Sequence, residues 1–341
     1  MTTATATPKA KVAKKGFKFN PQMIPTITAV VIFVLMLVMG EALFGTYLRM
    51  GFFSSLFMDH AYLIILAVAM TLPILTGGID LSVGAVVAIT SVIGVKMTMA
   101  GIPAIVAIIV MLVLGLAFGT LAGVLIEEFN MQPFIATLST MFLARGIASM
   151  ISTDSLTLPE NNNFDFISAN IKIIDQPKIS HDLTINVGVI IAVLVVIAGY
   201  IFLHKTRTGR TIYAIGGSRS SAELMGLAAK RTNYIIYMTS GTLAALASIV
   251  YTANVGSAKN TVGVGWELDA ISSVVIGGTL ITGGFGYVLG SVIGALVRSI
   301  IDPLTSDFGV PAEWTTIVVG AMILIFVVLQ RAVTAVSDKQ K

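Results

Sequence analysis

The chain has 341 residues, of which 56% are hydrophobic and 11% are charged, and its mean hydropathy is +0.93. An ordinary soluble domain has about 25% charged residues, so this composition excludes a soluble globular protein and predicts an all-α membrane protein with about ten crossings. The absence of cysteine excludes disulfides and thiolate metal sites. The net charge of +4 is spread among loops that flank apolar runs, and membrane topology explains it better than nucleic-acid binding does, so we expect membrane lipid and no nucleic acid as partners.

Ten apolar runs are candidate membrane spans, and polar tails flank them at residues 1–22 and 334–341. The first tail carries five lysines and no acidic residue, which favours a cytoplasmic position. The first run is too long for a signal peptide and lacks a small-x-small cleavage site, so we expect it to be retained. The runs lie at about 23–43, 56–75, 81–99, 102–125, 131–152, 184–203, 233–254, 267–281, 284–301 and 313–333.

The two longest polar loops carry opposite charge. Residues 153–182 are mainly acidic, whereas residues 204–232 hold six basic residues and one acidic residue, Glu223. Because basic loops stay on the cytoplasmic side, the first loop is predicted to be external and the second cytoplasmic. Ten crossings then place both termini in the cytoplasm.

Glycine interrupts the apolar runs at two places, "PILTGGIDLSVG" (73–84) and "VVIGGTLITGGFGYVLG" (274–290). Such breaks at membrane depth are tolerated inside protein or beside a water-filled cavity, so these segments are predicted to line a path. The Thr-Gly-Gly at 76–78 recurs at 282–284, with a constant offset along the two segments. Duplicated halves are common in transporters, but our topology puts both turns on the cytoplasmic side, so duplication and local convergence both stay open.

No catalytic motif is present in the sequence. There is no phosphate-binding G-x-x-x-x-G-K-[ST] loop and no G-x-S-x-G elbow, and His60, His181 and His204 lack metal-ligand spacing. We therefore expect a chain that is not an enzyme by itself and binds no metal or cofactor.

Ionisable residues within the predicted spans are functional candidates by default. Asp80 and Asp269 each follow glycine near a helix start, where a carboxylate either caps the helix or contacts substrate. Lys96, Arg298 and Asp302 fall near the outer surface, where anchoring is the expected role. Arg145 lies deeper and either pairs with an acidic neighbour or faces a polar cavity. The other candidates are Asp59 and Glu267.

The stretch "AIGGSRSSAELMGLAAKRT" (214–232) is polar and basic between two apolar runs. Ser220 to Glu223 fits the S-x-x-E capping pattern, Leu224 and Met225 form a short apolar ridge, and Gly226 is a helix stop. This predicts a helix of one or two turns whose apolar side rests on lipid headgroups or in a groove of another protein.

Three segments in order resemble bacterial ABC-importer permeases for monosaccharides of the ribose/xylose/galactose branch. They are "LTGGIDLSVGAVVAI" (75–89), "YAIGGSRSSAELMGL" (213–227) and "ELDAISSVVIGGTLITGGFGYVLGSVIGAL" (267–296). Within the branch, "FLARG" (142–146), "SAELMG" (221–226) and "AMILIFVVLQR" (321–331) resemble galactofuranose and fructose permeases most.

The resemblance implies a vitamin B12-permease-like fold, the type II importer fold, in a bacterial cell membrane. It implies a second, different permease chain, a cytoplasmic ATP-binding protein with two nucleotide-binding domains that holds ATP and Mg, and an extracytoplasmic sugar-binding protein. The family's coupling helix corresponds to about 218–227, and its expected ATPase contacts are Ser218, Ser221, Glu223, Leu224, Met225 and Gly226.

A neutral sugar needs small and hydrogen-bonding residues along its path, and our candidates are Thr76, Asp80, Ser82, Thr252, Asn254 and Asp269. The substrate expected from the resemblance is fructose or another furanose-form sugar, with ribose and galactose as further options. An ion-coupled secondary transporter acting alone is the alternative, and it would need an acidic residue in mid-span. A membrane-embedded enzyme or scaffold is a third hypothesis.

Overall fold

The computed structural model describes residues 24–159, 164–174 and 183–338. The predicted tail at 1–22, parts of the acidic loop with His181, and the last residues of the second tail lie outside the described residues. The elements are α1 (Ile24–Phe44), α2 (Met50–Leu75), α3 (Val83–Met99), α4 (Ala104–Glu127), α5 (Pro133–Ile151), β1 (Leu156–Thr157), α6 (Asp165–Ser168), β2 (Asn170–Ile174), β3 (Leu183–Asn186), α7 (Val187–Lys205), α8 (Arg207–Gly217), α9 (Arg219–Leu224), α10 (Ala229–Val255), β4 (Ser257–Ala258), α11 (Trp266–Ile276), α12 (Val288–Asp307) and α13 (Ala312–Asp338).

Each predicted span coincides with a helix, which confirms an all-α polytopic membrane fold. Seven helices in the described part of the chain are long and apolar enough to cross a bilayer: α1, α2, α4, α5, α7, α10 and α12. α3 and the apolar part of α13 are shorter. α11 has only 11 residues. At about 1.5 Å per residue it covers roughly half of a 30 Å hydrocarbon core.

The helices α2 and α3 form the centre of the bundle. Every residue of 63–75 and of 83–92 is buried. α10 packs against α4 so closely that a side-chain carbon at Gly119 would lie 2.2 Å from the carbonyl oxygen of Tyr237, and one at Gly241 would lie 2.3 Å from that of Gly115. α1, α4 and α7 expose apolar side chains on their outer faces, as lipid-facing helices do.

Two ends of the bundle can be distinguished. We call the end that carries α8 and α9 the α9 end; the glycine turns at 76–82 and 277–287 lie there too. The opposite end holds two small antiparallel sheets, in which β1 pairs with β4 and β2 pairs with β3. The described part of the predicted acidic loop contains β1, α6 and β2.

Residues 204–232, predicted as a loop with one short helix, are mostly helical. The sequence analysis predicted the short helix α9 but did not predict α8. Its N-cap is Thr206, whose Oγ1 accepts a hydrogen bond from the backbone N of Gly209 at 3.0 Å. Ile212 and Ile215, three residues apart, bury one face of α8.

The second glycine-rich segment interrupts the helical structure as predicted, although the run 267–281 extends past the end of α11 and the run 284–301 begins before α12 and stops short of its end. α11 ends at Ile276 and α12 begins at Val288. Between them, Gly278 and Gly283 adopt φ values of +96° and +85°, which glycine tolerates best.

Candidate functional site

The short helix α9 has a definite cap at each end. Ser218 is extended, and its Oγ accepts a hydrogen bond from the backbone N of Ser221 at 3.2 Å. The prediction that Ser220 and Glu223 form the capping box was therefore wrong, because the helix starts two residues earlier. Glu223 instead accepts a hydrogen bond from Arg219 Nε at 2.9 Å. Gly226 ends the helix with φ of +76°, as predicted.

The C-terminal tip of α9, Leu224 and Met225, is apolar and exposed. The exposed fractions are 90% for Leu224 and 67% for Met225. On the other face of the helix, Ala222 is fully buried and packs with Ile215 and Ala229. α9 thus rests on the bundle through one face and presents an apolar tip through the other.

A buried carboxylate anchors α9 to the bundle. Glu127, at the end of α4, has a side chain that is 2% exposed, and it accepts hydrogen bonds from Arg219 Nη1 at 3.1 Å and Nη2 at 2.8 Å. Asn233 of α10 also donates to Glu127. The hydrogen bonds from Arg219 to Glu127 raise the pKa of the Arg219 guanidinium above its ordinary value. Glu127 was missed in the sequence, where its only signal is a carboxylate directly after an apolar run.

An open groove of about 760 Å³ lies between α9 and the start of α10. At its edge, Glu128 accepts hydrogen bonds from Lys230 Nζ at 2.9 Å and from Tyr234 Oη at 2.8 Å. The Lys230 hydrogen bond lowers the pKa of Glu128. The groove is lined by Glu223, Leu227, Ala228, Ala229, Lys230, Arg231, Tyr234, Ile235 and Met238.

The two Thr-Gly-Gly turns touch each other. The backbone N of Gly284 donates to the carbonyl oxygen of Leu75 at 2.9 Å. A side-chain carbon on Gly77 would lie 3.3 Å from the carbonyl oxygen of Thr282. The ends of two interrupted segments are therefore joined directly through their backbones at the α9 end.

Three of the predicted path residues are buried in the core. Asp80 is fully buried and accepts hydrogen bonds from the backbone N of Ser82 at 3.0 Å, from Ser82 Oγ at 2.6 Å and from Ser240 Oγ at 2.7 Å. Ser82 is 1% exposed and Thr252 is fully buried. In this conformation none of them has surface to offer a sugar. Asp80 is not the N-cap of α3, which is Ser82. Its carboxylate is instead held in the core by hydrogen bonds from Ser82 and Ser240.

Thr76 and Asn254 retain some accessible surface. Thr76 is half-buried, and its Oγ1 donates to the carbonyl oxygen of Pro73 at 2.8 Å. Asn254 is exposed, and its Oδ1 accepts from Asn186 Nδ2 at 3.4 Å. The two lie at different ends of the bundle, and their assignment to a path stays a prediction.

Asp269 belongs to an ion-pair network at the opposite end. Arg298 donates from Nε to Asp269 at 2.7 Å and from Nη1 to Asp302 at 2.8 Å. His60 Nε2 lies 3.5 Å from the second oxygen of Asp302. Asp269 is thus not the N-cap of α11, which is Gly265. Arg298, expected to reach toward the surface, is instead enclosed with a side chain that is 12% exposed.

Two further basic candidates, Arg145 and Lys96, bind backbone. Arg145 donates from Nη1 to the carbonyl oxygens of Asn260 and Val262, so it holds the segment between β4 and α11 against α5. Lys96 donates to the carbonyl oxygen of Ile151 at 2.9 Å and binds the end of α5 to α3. Both side chains therefore stabilise the opposite end of the bundle.

Residues 52–327 match the family described as branched-chain amino acid transport system, permease component. The chain belongs to this family. It is 78% identical to the fructose import permease protein FruG of Bifidobacterium longum (strain NCC 2705) over 341 residues, which is 100% of both chains. It is 40% identical to the inner membrane ABC transporter permease protein YjfF of Escherichia coli (strain K12), over 83% of this chain and 84% of the relative.

The ribose import permease protein RbsC of Escherichia coli (strain K12) is 38% identical, over 78% of this chain and 81% of the relative. No solved structure gives a significant match. These relatives confirm the resemblance to sugar permeases of the ribose branch. The protein is an ABC-transporter permease, a multi-pass component of a bacterial cell membrane.

Proposed function

We propose that this permease is one of two transmembrane subunits of an ATP-driven monosaccharide importer, with fructose as its sugar. The family description names branched-chain amino acids, whereas the relatives that match along most of the chain are named for fructose and ribose. The match to the fructose permease leaves no segment of either chain uncovered, so it weighs more than the family description. An ion-coupled transporter acting alone is not favoured by these relatives.

The main observation behind this mechanism is that the apolar end of α9 is exposed while the helix itself is held against the bundle. Leu224 and Met225 are exposed, while Arg219 is held by the buried Glu127. Exposed large apolar side chains on a rigid support are typical of a protein interface. We assign this tip to a groove of a cytoplasmic ATPase, which would bind the ATP and Mg, so the permease itself hydrolyses nothing.

This assignment orients the protein. The α9 end is cytoplasmic, in agreement with the exposed basic side chains of Arg207, Arg210 and Arg231. α1 begins near this end, where Thr26 Oγ1 donates to the carbonyl oxygen of Gly277, and we expect both termini in the cytoplasm. The opposite end then faces an extracytoplasmic sugar-binding protein. A second and different permease chain completes the path. Closure of the two nucleotide-binding domains would move α9, and the interrupted helices would open to one side and then to the other.

Reconstitution tests the function. The permease is placed in proteoliposomes with its ATPase, a second permease and the sugar-binding protein, and uptake of labelled fructose, ribose and galactose is measured. We expect fructose uptake that requires ATP on the ATPase side of the membrane and the sugar-binding protein on the other side. Uptake by the permease alone, driven by a proton or sodium gradient without ATP, would contradict the proposal.

The tip itself is tested by Met225→Asp, with Met225→Leu as the matched control. Because the side chain is exposed, neither change disturbs the core, but a carboxylate in an apolar groove is strongly unfavourable. We expect uptake to fall by about tenfold or more in the first variant and to stay near wild type in the second. Uptake at the wild-type level in Met225→Asp would contradict the proposal that α9 contacts the ATPase.

A further inference from the structure

One face of α8 lies directly on both glycine turns. Tyr213 Oη donates to the carbonyl oxygen of Gly286 at 2.7 Å. One turn of helix further on, a side-chain carbon at Gly216 would lie 2.0 Å from the carbonyl oxygen of Leu75 and 2.4 Å from the backbone N of Gly284. No other residue type fits at position 216 without separating the backbones.

Three chain segments therefore meet at one point, which we call the glycine junction: Leu75, Gly77, Gly216, Gly283 and Gly284. The turns are bonded to each other through Gly284 and Leu75. Gly283 packs on the backbone of Gly77, where its side-chain carbon would lie 2.8 Å from the nitrogen. The end of α2, the segment between α11 and α12, and α8 are in backbone contact with almost no intervening side chain.

α8 and α9 are nearly continuous. Only Ser218 separates them, and its Oγ and carbonyl oxygen both bond into α9, to the backbone N of Ser221 and of Ala222. A displacement of α9 thus reaches α8 over one residue. Backbones in direct contact transmit such a displacement with little slack, since packed protein interiors are barely compressible.

We infer that Gly216 is a positioning residue for transport, the point at which motion of α9 passes to the two interrupted segments. This inference rests on the proposed docking of an ATPase at α9. It adds a specific relay: α9 to Ser218, then α8, then the glycine junction, then α2, α11 and α12. The relay predicts that separating the junction spares nucleotide hydrolysis and lowers the sugar transported for each ATP hydrolysed.

The chain offers a matched control in the next residue. A side-chain carbon at Gly217 would have no atom within 4 Å. Gly216→Ala and Gly217→Ala change the propensity of the same helix equally, but only the first forces the junction apart. In proteoliposomes with the complete complex, we expect Gly216→Ala to lower the ratio of uptake to hydrolysis by about fivefold or more, and Gly217→Ala to leave the ratio unchanged.

Two results would overturn the inference. One is an unchanged ratio in Gly216→Ala, which includes uptake and hydrolysis that fall in proportion, and the other is an equal loss of the ratio in both variants. If the complex with Gly216→Ala does not assemble, Tyr213→Phe is the alternative test of the relay. It removes only the hydrogen bond to Gly286 and keeps the ring. We expect its ratio to fall by about twofold, and an unchanged ratio would overturn the relay. Failure of wild-type ATP-driven uptake would instead reject the proposed function.

Discussion

The two ends of the bundle use buried charge in opposite ways. At the α9 end, a buried anion, Glu127, holds a half-exposed cation, Arg219, whose side chain is 45% exposed. At the opposite end, a buried cation, Arg298, holds two more exposed carboxylates, Asp269 and Asp302. The first network fastens a surface helix with a bare apolar tip, and the second joins α11 to α12 inside the subunit. The α9 end is thus built to present a surface, and the opposite end to hold helices together.

The networks also differ in what remains after one partner is lost. Without Arg219, Glu127 would stay buried with the Asn233 amide as its remaining bonded neighbour among the described residues. Without Asp302, Arg298 would keep its 2.7 Å bond to Asp269. Because an uncompensated buried charge is costly, the α9 end should be the more sensitive of the two.

Arg219→Gln should give the largest effect. Loss of one partner of a buried pair costs about 3–5 kcal/mol, and the half-exposed position of Arg219 places the expected cost at the lower end. We expect a lower thermal midpoint in detergent and at least a roughly tenfold loss of ATP-driven uptake, because the tip of α9 is no longer held. Arg210→Gln, an exposed position on α8, is the control. Equal behaviour of the two variants would refute the anchoring role of Glu127.

Ser240→Ala should give an intermediate effect, and it separates a core role from a path role for Asp80. The change removes one of three hydrogen bonds to a fully buried carboxylate, which costs about 1–3 kcal/mol. We expect a lower thermal midpoint and an unchanged apparent KM for sugar uptake. Ser139→Ala removes an exposed hydroxyl and should change neither quantity. A raised apparent KM with an unchanged thermal midpoint would indicate that Asp80 belongs to the sugar path.

Asp302→Asn should give the smallest effect. The side chain is 43% exposed, and Arg298 keeps Asp269, so the loss should be about 0.2–1 kcal/mol. Asp269→Asn, at the less exposed partner, should cost more. The two thermal midpoints measure this order directly. A larger loss in Asp302→Asn would mean that the network is centred on His60 and Asp302 instead of on Arg298 and Asp269.

Local features of the sequence predicted the membrane fold, the interruptions and the tip of α9. Apolar runs, glycine clusters and an apolar pair between basic flanks are short-range patterns, and Gly226 marks the end of the helix by its own conformational freedom. The predicted N-cap of α9 was wrong because three serines lie within four residues. Only the backbone angles distinguish the N-cap Ser218 from Ser220.

Long-range contacts could not be predicted. Glu127 and Arg219 are 92 residues apart, and Gly216 contacts the end of α2 at Leu75 and the second glycine turn at Gly284. Asp80 resembled a path residue because an ionisable side chain in a span is often functional, whereas its partner Ser240 is 160 residues away. A single sequence gives no signal for such pairs, and their positions depend on how the helices pack.

Site-directed cross-linking tests the central claim most directly, because the chain has no cysteine of its own. Met225→Cys in the assembled complex should cross-link to the ATPase and resist a membrane-impermeant maleimide added from outside the cell. Lys259→Cys, exposed at the opposite end, should react with that maleimide and should not cross-link to the ATPase. Labelling of Met225→Cys from outside, or failure to cross-link to the ATPase while Lys259→Cys behaves as expected, would contradict the account.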